Sequence, residues 1–477
     1  MNNRVLSNFL WSFFERVGAQ GVTLVVSLIL ARILGPEVYG SVALALIFIA
    51  IFDVFVDSGL GNALIQKKDA DDLDFSSVFY FNLLVCAVLY MVFYCIAPLI
   101  ARANKMETMT PILRVMGIQL ILSGFKNIQF AYVSRNMDFK KFFVSTITGT
   151  VLAAPVGIIM AVKGFGAWAI VAQNLCNVTF DTVILWITVK WRPIRAFSWQ
   201  RLKVLLNYGW KLLASSLLET IYQKLRQLII GITYSPADLA FYNKGETFPS
   251  TAVSNINSAM NSVLFPVMSE KQSEPEEVKN ITKKAIGVGS YALMPAMAGL
   301  IACAEPIVGI LLGEEWMPCV PYLQVFCVVY AFYPFHVANL NAIKAVGRSD
   351  VYLKQEMLKK IIGIISIFIT IRISAFAIAL GLIFTDLIDQ IINSYPNWKL
   401  INYPYREQLE EMAGPLLLSF MMGGIVYLVN FISISPLLKL FIQIPLGVFL
   451  YLGLSKLYKL DIFNYLTSSV KMLLKRQ

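Results

Sequence analysis

Apolar stretches of about 20 residues recur along the whole 477-residue chain, and they restrict its fold more than any other feature. A stretch of that length crosses the roughly 30 Å hydrocarbon core of a bilayer as an α-helix. Inside a bilayer only helices and closed β-barrels satisfy all backbone hydrogen-bonding groups. A barrel would show short alternating segments instead of long apolar ones. The pattern therefore predicts an all-α polytopic membrane protein.

Composition favours the same fold class. Hydrophobic residues make up 57% of the chain and charged residues 14%, against about 25% charged in a typical soluble domain. The first apolar run is too long for a cleavable signal peptide and lacks an A-x-A-like site. The six cysteines are scattered without a CxxC pair, so we expect buried apolar thiols and neither a disulfide nor a metal site. No cofactor is expected.

The apolar pattern predicts fourteen transmembrane helices. Proline cannot continue a helix, so Gly35-Pro36 ends the first span and Ser235-Pro236 ends the seventh. The predicted spans cover residues 8–33, 39–65, 75–101, 111–134, 142–162, 165–189, 205–232, 240–268, 284–312, 317–345, 352–372, 374–398, 411–433 and 437–457.

The distribution of basic residues predicts how the chain crosses the membrane. If the N-terminus is cytoplasmic, most of the 40 Lys and Arg residues fall in cytoplasmic loops and few fall in outer loops. An even number of spans preserves this asymmetry along the whole chain. Both termini are therefore predicted to be cytoplasmic, and the net charge of +11 is interpreted as a sign of topology instead of nucleic-acid binding.

A weak internal repeat predicts two lobes. SNFLWSFFE (7–15) resembles LNYGWKLLA (206–214), and LGPEVYG (34–40) resembles YSPADLAFY (234–242). The offset corresponds to six spans, an even number, so the halves would share one orientation and be related by a pseudo-two-fold axis along the membrane normal. The predicted domains are two six-helix lobes at 1–204 and 205–400, and two additional spans with a cytoplasmic tail at 401–477.

The seventh predicted span carries charges that a lipid-facing helix would exclude. At 100° per residue, Glu219, Gln223 and Arg226 share one face, and Lys224 lies off its centre. A charge at the centre of a bilayer costs about 2.5–3.5 kcal/mol on insertion scales, and it is tolerated where it faces a bundle interior or a wet cavity.

Polar stripes on spans one, two and eight repeat this design and predict a water-filled, partly cationic cavity between the two halves. The alternative is that these groups pair with one another and only hold helices together. Arginine suits phosphate because its planar fork donates two hydrogen bonds at once. The residues predicted to bind an anionic substrate are Arg16, Lys126, Lys224, Arg226 and Lys244. The polar residues predicted to line the cavity are Gln20, Glu219, Gln223, Asn243, Ser254 and Asn257.

Two acids in the second span are candidates for ion coupling. Asp53 and Asp57 lie one helical turn apart, and they could carry a coupling proton, bind Na⁺ or serve as a counter-ion for Arg16. The only histidine, His336, is predicted to be packed or hydrogen-bonded. No HExxH, P-loop or GxSxG motif occurs in the sequence and the predicted outer loops are short, so a transporter is favoured over an enzyme.

Several longer motifs resemble one transporter family. LARILGPEVYGSVALA (30–45) and DSGLGNALIQKK (57–68) are similar to the opening of the polysaccharide-transporter branch of the multidrug/oligosaccharidyl-lipid/polysaccharide flippase superfamily. Within that branch the chain most resembles flippases of the colanic-acid-exporter and O-antigen type. The similarity extends along nearly the whole chain, through RQLIIGITYSPADLAFYNKGETFPS (226–250), VLFPVMSE (263–270), LLGEEW (311–316) and NAIKAVGRSD (341–350).

This resemblance implies a location, a substrate and a mechanism. It implies two lobes that open alternately to each side of the bacterial inner membrane, and an oligosaccharide on a polyprenyl pyrophosphate as substrate. The expected partners are this lipid-linked oligosaccharide, membrane lipids, an H⁺ or Na⁺ counter-ion and the polysaccharide-assembly machinery, with no nucleic acid. The alternatives are a cation-coupled multidrug exporter of the same superfamily and a membrane-embedded glycan polymerase or scaffold.

Overall fold

The structure is a computed structural model that describes the backbone of residues 3–57, 59–104, 106 and 108–474, and the side chains there except at 3–17, 19, 57, 103, 255, 257–259, 262 and 469–474. All regular secondary structure in these ranges is helical. The α-helices are α1 (Asn3–Asp57), α2 (Leu60–Gln66), α3 (Asp72–Ala103), α4 (Met109–Met116), α5 (Ile118–Asn136), α6 (Phe139–Val162), α7 (Ala167–Thr188), α8 (Trp199–Thr233), α9 (Pro236–Glu270), α10 (Pro275–Ala302), α11 (Ala304–Leu311), α12 (Cys319–Ala331), α13 (Tyr333–Ala345), α14 (Ser349–Thr370), α15 (Ala375–Ile401), α16 (Tyr405–Leu428), α17 (Pro436–Leu457) and α18 (Asp461–Leu474).

These helices confirm the predicted fold class. Within the described residues, nine helical stretches are long and apolar enough to cross a bilayer. Each predicted span coincides with one helix, with part of one, or with two consecutive helices, and the number of fourteen crossings stays a prediction. The prediction missed α18, which lies in the segment expected to be a cytoplasmic tail.

The first predicted break is a kink inside one long helix. Gly35 has a φ of 71° inside α1, a left-handed conformation that glycine adopts without steric cost, and Pro36 follows it. The second break separates α8 from α9. There the Asp238 backbone N–H donates to Ser235 Oγ at 3.1 Å, and the Ser235 N–H donates to Asp238 Oδ2 at 3.2 Å. These reciprocal bonds satisfy donors at the start of α9.

The chain divides into two compact units, Met1–Ala240 and Phe241–Gln477. In the first unit, α6 packs against α7 and α1, α3 packs against α5, and α8 packs against α1 and α2. In the second unit, α10 packs against α16 and α13, and α15 packs against α13 and α14. The predicted lobe limits at 204 and 400 stay predictions.

Large apolar side chains face outward as well as inward. In the first unit, the core includes Phe93, Leu113 and Leu120, which are fully buried. On the outside, the Phe420 side chain on α16 is 81% exposed, as expected for a helix that contacts lipid. Four of the six cysteines are buried, but Cys95 is exposed, so the prediction that all of them are buried was wrong at that position.

Two segments of the first unit approach so closely that only glycine fits between them. A Cβ atom placed on Gly40 of α1 would lie 1.7 Å from the carbonyl oxygen of Pro236, at the start of α9. Gly40 closes the LGPEVYG segment and Pro236 lies in YSPADLAFY, so the two sequences that the internal repeat relates meet here.

We expect Gly40→Ala to destabilise the protein, because the new methyl group would overlap the backbone carbonyl of Pro236. A backbone group cannot move aside as the end of a flexible side chain can. Overpacking of this kind costs about 1–3 kcal/mol or more. The melting temperature of purified protein in detergent measures the effect. Gly21→Ala is the matched control, since nothing lies within 4 Å of a Cβ there. Equal melting temperatures for the two variants would contradict the close contact.

Candidate functional site

A polar cavity of about 310 Å³ lies within the first unit, between helices α1, α2, α5 and α7. It contains two of the residues that the sequence singled out for different roles, the lysine Lys126 and the acid Asp53. Asn62, Gln119, Ser123 and Asn127 contribute further polar groups, and Ile65, Phe130, Ala131 and Val178 contribute apolar ones. The predicted ion-coupling acid Asp53 and the predicted substrate-binding Lys126 therefore meet in one site.

Lys126 is held in an ion pair. Its Nζ lies 2.5 Å from Oδ2 of Asp181 on α7. The Lys126 side chain is 34% exposed and that of Asp181 is 6% exposed, so the acid forms the buried end of the pair. The second carboxylate oxygen of Asp181 has no hydrogen-bond partner among the described residues. Part of the positive charge expected to attract a substrate is thus balanced by the protein.

Asp53 is also tied to the walls of this cavity. Gln119 Nε2 donates to Asp53 Oδ2 at 3.2 Å, and the amide of Asn127 donates to the backbone carbonyl of Val56. Gly61 leaves room for that amide, because a Cβ there would lie 3.1 Å from Asn127 Oδ1. The cavity lining therefore holds one carboxylate and one lysine, and the lysine is paired with the neighbouring Asp181.

The charged segment of α8 lies outside the packed core. The buried residues of α8 are Leu202, Leu205 and Gly209 near one end and Ile230 and Gly231 at the other, with none between them. The predicted site residues occupy that intervening segment. There the Glu219, Lys224 and Arg226 side chains are half-buried and Gln223 is exposed.

Short local contacts organise this segment. Gln223 Nε2 donates to Glu219 Oε1 at 2.9 Å, and Lys224 Nζ donates to Gln227 Oε1 at 3.2 Å. Glu219 and Gln223 are one helical turn apart, as the predicted shared face requires. The arrangement places basic, acidic and amide groups together on one helix.

The residues predicted on α9 have different environments. Lys244 is 2% exposed, which places its amine inside the second unit and away from open solvent. Asn243 and Ser254 are half-buried, and the Asn243 side-chain oxygen has no hydrogen-bond partner among the described residues. Gln20 on α1 is exposed. The side chains of Arg16, Asp57 and Asn257 lie outside the described residues.

The second unit contains an apolar groove between α10, α16 and α17. Its volume is about 420 Å³, and apolar side chains form nearly all of its walls. Gln443 is the polar exception in the groove. Its side chain is 1% exposed, and its amide donates a hydrogen bond to Asn430 Oδ1 at 2.9 Å. The sequence predicted two additional spans in this region but not a groove, because a groove depends on how helices pack.

Residues 29–321 match the family described as "Polysaccharide biosynthesis protein". The chain belongs to this family. The match covers more than half of the chain and confirms the resemblance seen in the motifs.

Relatives of this polysaccharide biosynthesis family member cover most of its length. Succinoglycan biosynthesis transport protein ExoT of Rhizobium meliloti (strain 1021) is 26% identical over 347 residues, which cover 73% of this chain and 70% of ExoT. Lipopolysaccharide biosynthesis protein WzxC of Escherichia coli (strain K12) is 22% identical over 427 residues, which cover 88% and 86%. The solved structure of lipid II flippase MurJ in an inward closed conformation shares the fold, with a TM-score of 0.75, 15% identity and coverage of 95% and 98%.

We expect Lys126→Met to destabilise the protein, because the substitution leaves the buried Asp181 carboxylate without its counter-charge. Breaking a fully buried pair costs about 3–5 kcal/mol, and partial exposure of Lys126 reduces this to about 1–3 kcal/mol. Thermal unfolding in detergent measures the loss. The double variant Lys126→Met/Asp181→Leu should recover most of it. A double variant no more stable than Lys126→Met would argue against the pair.

We expect a cysteine at position 223 to react with a charged, water-soluble thiol reagent in membranes, because the sequence predicts that the polar face of α8 lines a water-filled cavity. Leu218→Cys is the matched control. Leu218 is 68% exposed but lies on the apolar face of the same helix, where lipid excludes the reagent. Both substitutions require a background without the six native cysteines. Equal labelling at the two positions would contradict a hydrated polar face.

Proposed function

We propose that the chain is a flippase that moves a polyprenyl-pyrophosphate-linked oligosaccharide, a precursor of surface polysaccharide, across the bacterial inner membrane by alternating access. In this proposal it is a transporter and not an enzyme, and both of its termini are cytoplasmic. Membership of a polysaccharide biosynthesis family supports the substrate class. A relative named as a succinoglycan transport protein supports the activity.

One observation carries the proposal: α8, which covers the predicted seventh span, holds basic side chains on a segment without buried residues. On α8, Lys224 and Arg226 are half-buried between the two packed ends of the helix. Holding charge in such a place costs free energy, and a pyrophosphate head would repay it by charge-assisted hydrogen bonds to the guanidinium group. Arg16, Lys126 and Lys244 complete the proposed set of basic residues, and Gln20, Glu219, Gln223, Asn243, Ser254 and Asn257 complete the polar lining.

The lipid part of the substrate has a matching surface. A polyprenyl chain is a long hydrocarbon, and the groove between α10, α16 and α17 offers about 420 Å³ with almost wholly apolar walls. Burying hydrocarbon there gains roughly 25 cal/mol for each Å² removed from water, and little where lipid already covers it. The groove would therefore orient the tail more than it would raise the affinity.

An H⁺ or Na⁺ counter-ion is a further part of the proposal. Asp53 and Asp57 remain the candidates in the first unit, and the bond from Gln119 to Asp53 places one of them in the polar cavity. Contact with the polysaccharide-assembly machinery would supply the substrate and receive the product.

The alternative is a cation-coupled multidrug exporter of the same superfamily. The observation that favours it is the charge at the polar cavity, where Asp53 lies in the lining and the charge of Lys126 is balanced by Asp181. Protection of cells against cationic dyes by the chain, without any effect on surface polysaccharide, would favour this alternative.

We expect Arg226→Ala to reduce surface polysaccharide by about tenfold or more in a strain that depends on the chain. The reason is that a hydrogen bond to a charged group contributes about 1.5–3 kcal/mol, and each 1.4 kcal/mol corresponds to a factor of ten. Quantifying cell-surface glycan and accumulated lipid-linked precursor in the complemented deletion strain measures the effect.

Lys211→Ala is the control for Arg226→Ala, because Lys211 is an exposed basic residue of the same helix outside the proposed site. Arg226→Lys should recover part of the activity, since an ammonium group keeps the charge but loses the two-pronged geometry. Wild-type levels of surface glycan in Arg226→Ala cells that hold normal amounts of the protein would reject the anion-binding role.

A further inference from the structure

The chain's only histidine lies at the centre of a polar cluster in the second unit. His336 on α13 bonds through both ring nitrogens: Nε2 lies 2.9 Å from Asp386 Oδ1 on α15, and Nδ1 lies 2.9 Å from Asn393 Nδ2. Gln390 Nε2 donates to the other oxygen of Asp386 at 3.0 Å, and Tyr405 donates to Gln390 Oε1 at 3.2 Å. Each partner is thus held in place by another.

The geometry gives the imidazole a hydrogen-bonded arrangement in both protonation states. A neutral ring with its proton on Nε2 donates to Asp386 and accepts from the Asn393 amide at Nδ1. A protonated ring carries a second N–H at Nδ1 and needs an acceptor there. Asn393 supplies this acceptor when its side-chain amide flips and presents Oδ1 to the ring. That oxygen is free to accept, because it has no hydrogen-bond partner among the described residues. Asn393 is 1% exposed, so this oxygen is kept from water.

The charge balance around the ring also favours uptake of a positive charge. Asp389 lies within electrostatic range of His336, Asp386, Glu356 and Lys359, and Lys359 Nζ lies 2.6 Å from Glu356 Oε1. The acids near the ring thus include Asp386 and Asp389, and the Lys359 ammonium group is already paired with Glu356. Protonating the ring turns the contact with Asp386 into an ion pair.

Among the described residues, Asp386 is the charged side chain that lies within ion-pair distance of the His336 ring. The described part of α10 beyond Lys284 carries only Tyr291 as an ionisable group, and its hydroxyl donates to Ser455 Oγ at 3.2 Å. On α12, Tyr330 donates to Glu246 Oε1 at 3.2 Å. The groups to consider are therefore Glu356, Lys359, Asp386, Asp389 and Tyr405, together with the Tyr330–Glu246 pair.

We propose that His336 and Asp386 form a proton-binding site in the second unit, and that the chain takes up and releases this proton during its transport cycle. Proton uptake breaks an O–H bond of a hydronium ion in the solvent and forms an N–H bond at His336 Nδ1. It raises the charge of the cluster by one. A proton fits better than a metal ion, because the described residues contain no group of three His, Cys, Asp or Glu side chains placed to hold a metal. The coupling part rests on the flippase function proposed above.

A direct test uses the single histidine as a spectroscopic probe. The full chain, labelled with ¹⁵N,¹³C-histidine and purified without a polyhistidine tag, gives one imidazole signal in lipid nanodiscs. We expect that signal to show one titration between pH 5 and pH 9. Asp386→Asn should move the midpoint down by about one pH unit or more, since the neighbouring negative charge is lost. Asp350→Asn, which removes an acid paired with Arg348, should leave the midpoint unchanged.

A ring that keeps one protonation state from pH 5 to pH 9 overturns the proposal, and so does an unchanged midpoint in Asp386→Asn. Should Asp386→Asn not fold, Asn393→Asp replaces it as the test. That variant places a carboxylate beside Nδ1 and must raise the midpoint, and an unchanged midpoint again overturns the proposal.

Coupling is tested in cells that lack the chain and receive wild type or His336→Gln. We expect surface glycan to depend on external pH with the wild-type chain, and this dependence to disappear with His336→Gln, whose amide still forms hydrogen bonds but does not titrate. An unchanged pH profile in His336→Gln overturns coupling and leaves the flippase function standing. If the wild-type chain fails to restore surface glycan, the flippase function and the coupling both fail, and the nuclear magnetic resonance titration alone decides the proton site.

Discussion

The cost of placing a polar group in hydrocarbon organises this structure more than any other interaction. It forces the backbone into helices, whose peptide groups bond within the same segment, and it makes every ionisable side chain at membrane depth either paired or functional. Lys126 satisfies this demand with Asp181, and His336 satisfies it with Asp386. The charged side chains of α8 meet this demand only in part, because they lie on a segment that has no buried residue between Gly209 and Ile230.

The two units meet this demand in different ways. The first unit contains a polar cavity lined by Asp53 and Lys126, whereas the second contains an apolar groove and a hydrogen-bonded histidine cluster. A carrier of a lipid-linked sugar needs such a division, because its substrate has a charged head, a sugar chain and a hydrocarbon tail. In the proposed function, the basic residues of α8 bind the charged head and the apolar groove orients the hydrocarbon tail, and the proposed proton site adds a source of free energy within the second unit.

Much of the fold could be predicted from the sequence, because local signals determine it. Apolar runs set the helices, and Gly35 with Pro36 set the kink of α1 through backbone conformation alone. The helix α18 was missed because its 14 residues are too short to span a bilayer and follow a basic segment that is typical of a tail. The partners of the charges were harder to predict. Lys126 was identified as basic and deep, but its pairing with Asp181 depends on how α5 packs against α7, and one sequence does not contain that distance. His336 was expected to be packed or hydrogen-bonded, and its bond to Asp386 confirms the hydrogen-bonded alternative.

The contact between Gly40 and the Pro236 carbonyl restricts how the first unit can deform. With no side chain between the two backbones, α1 and the start of α9 cannot come closer to each other at this point. A single hydrogen atom in place of a methyl group thus sets the separation of the two backbones.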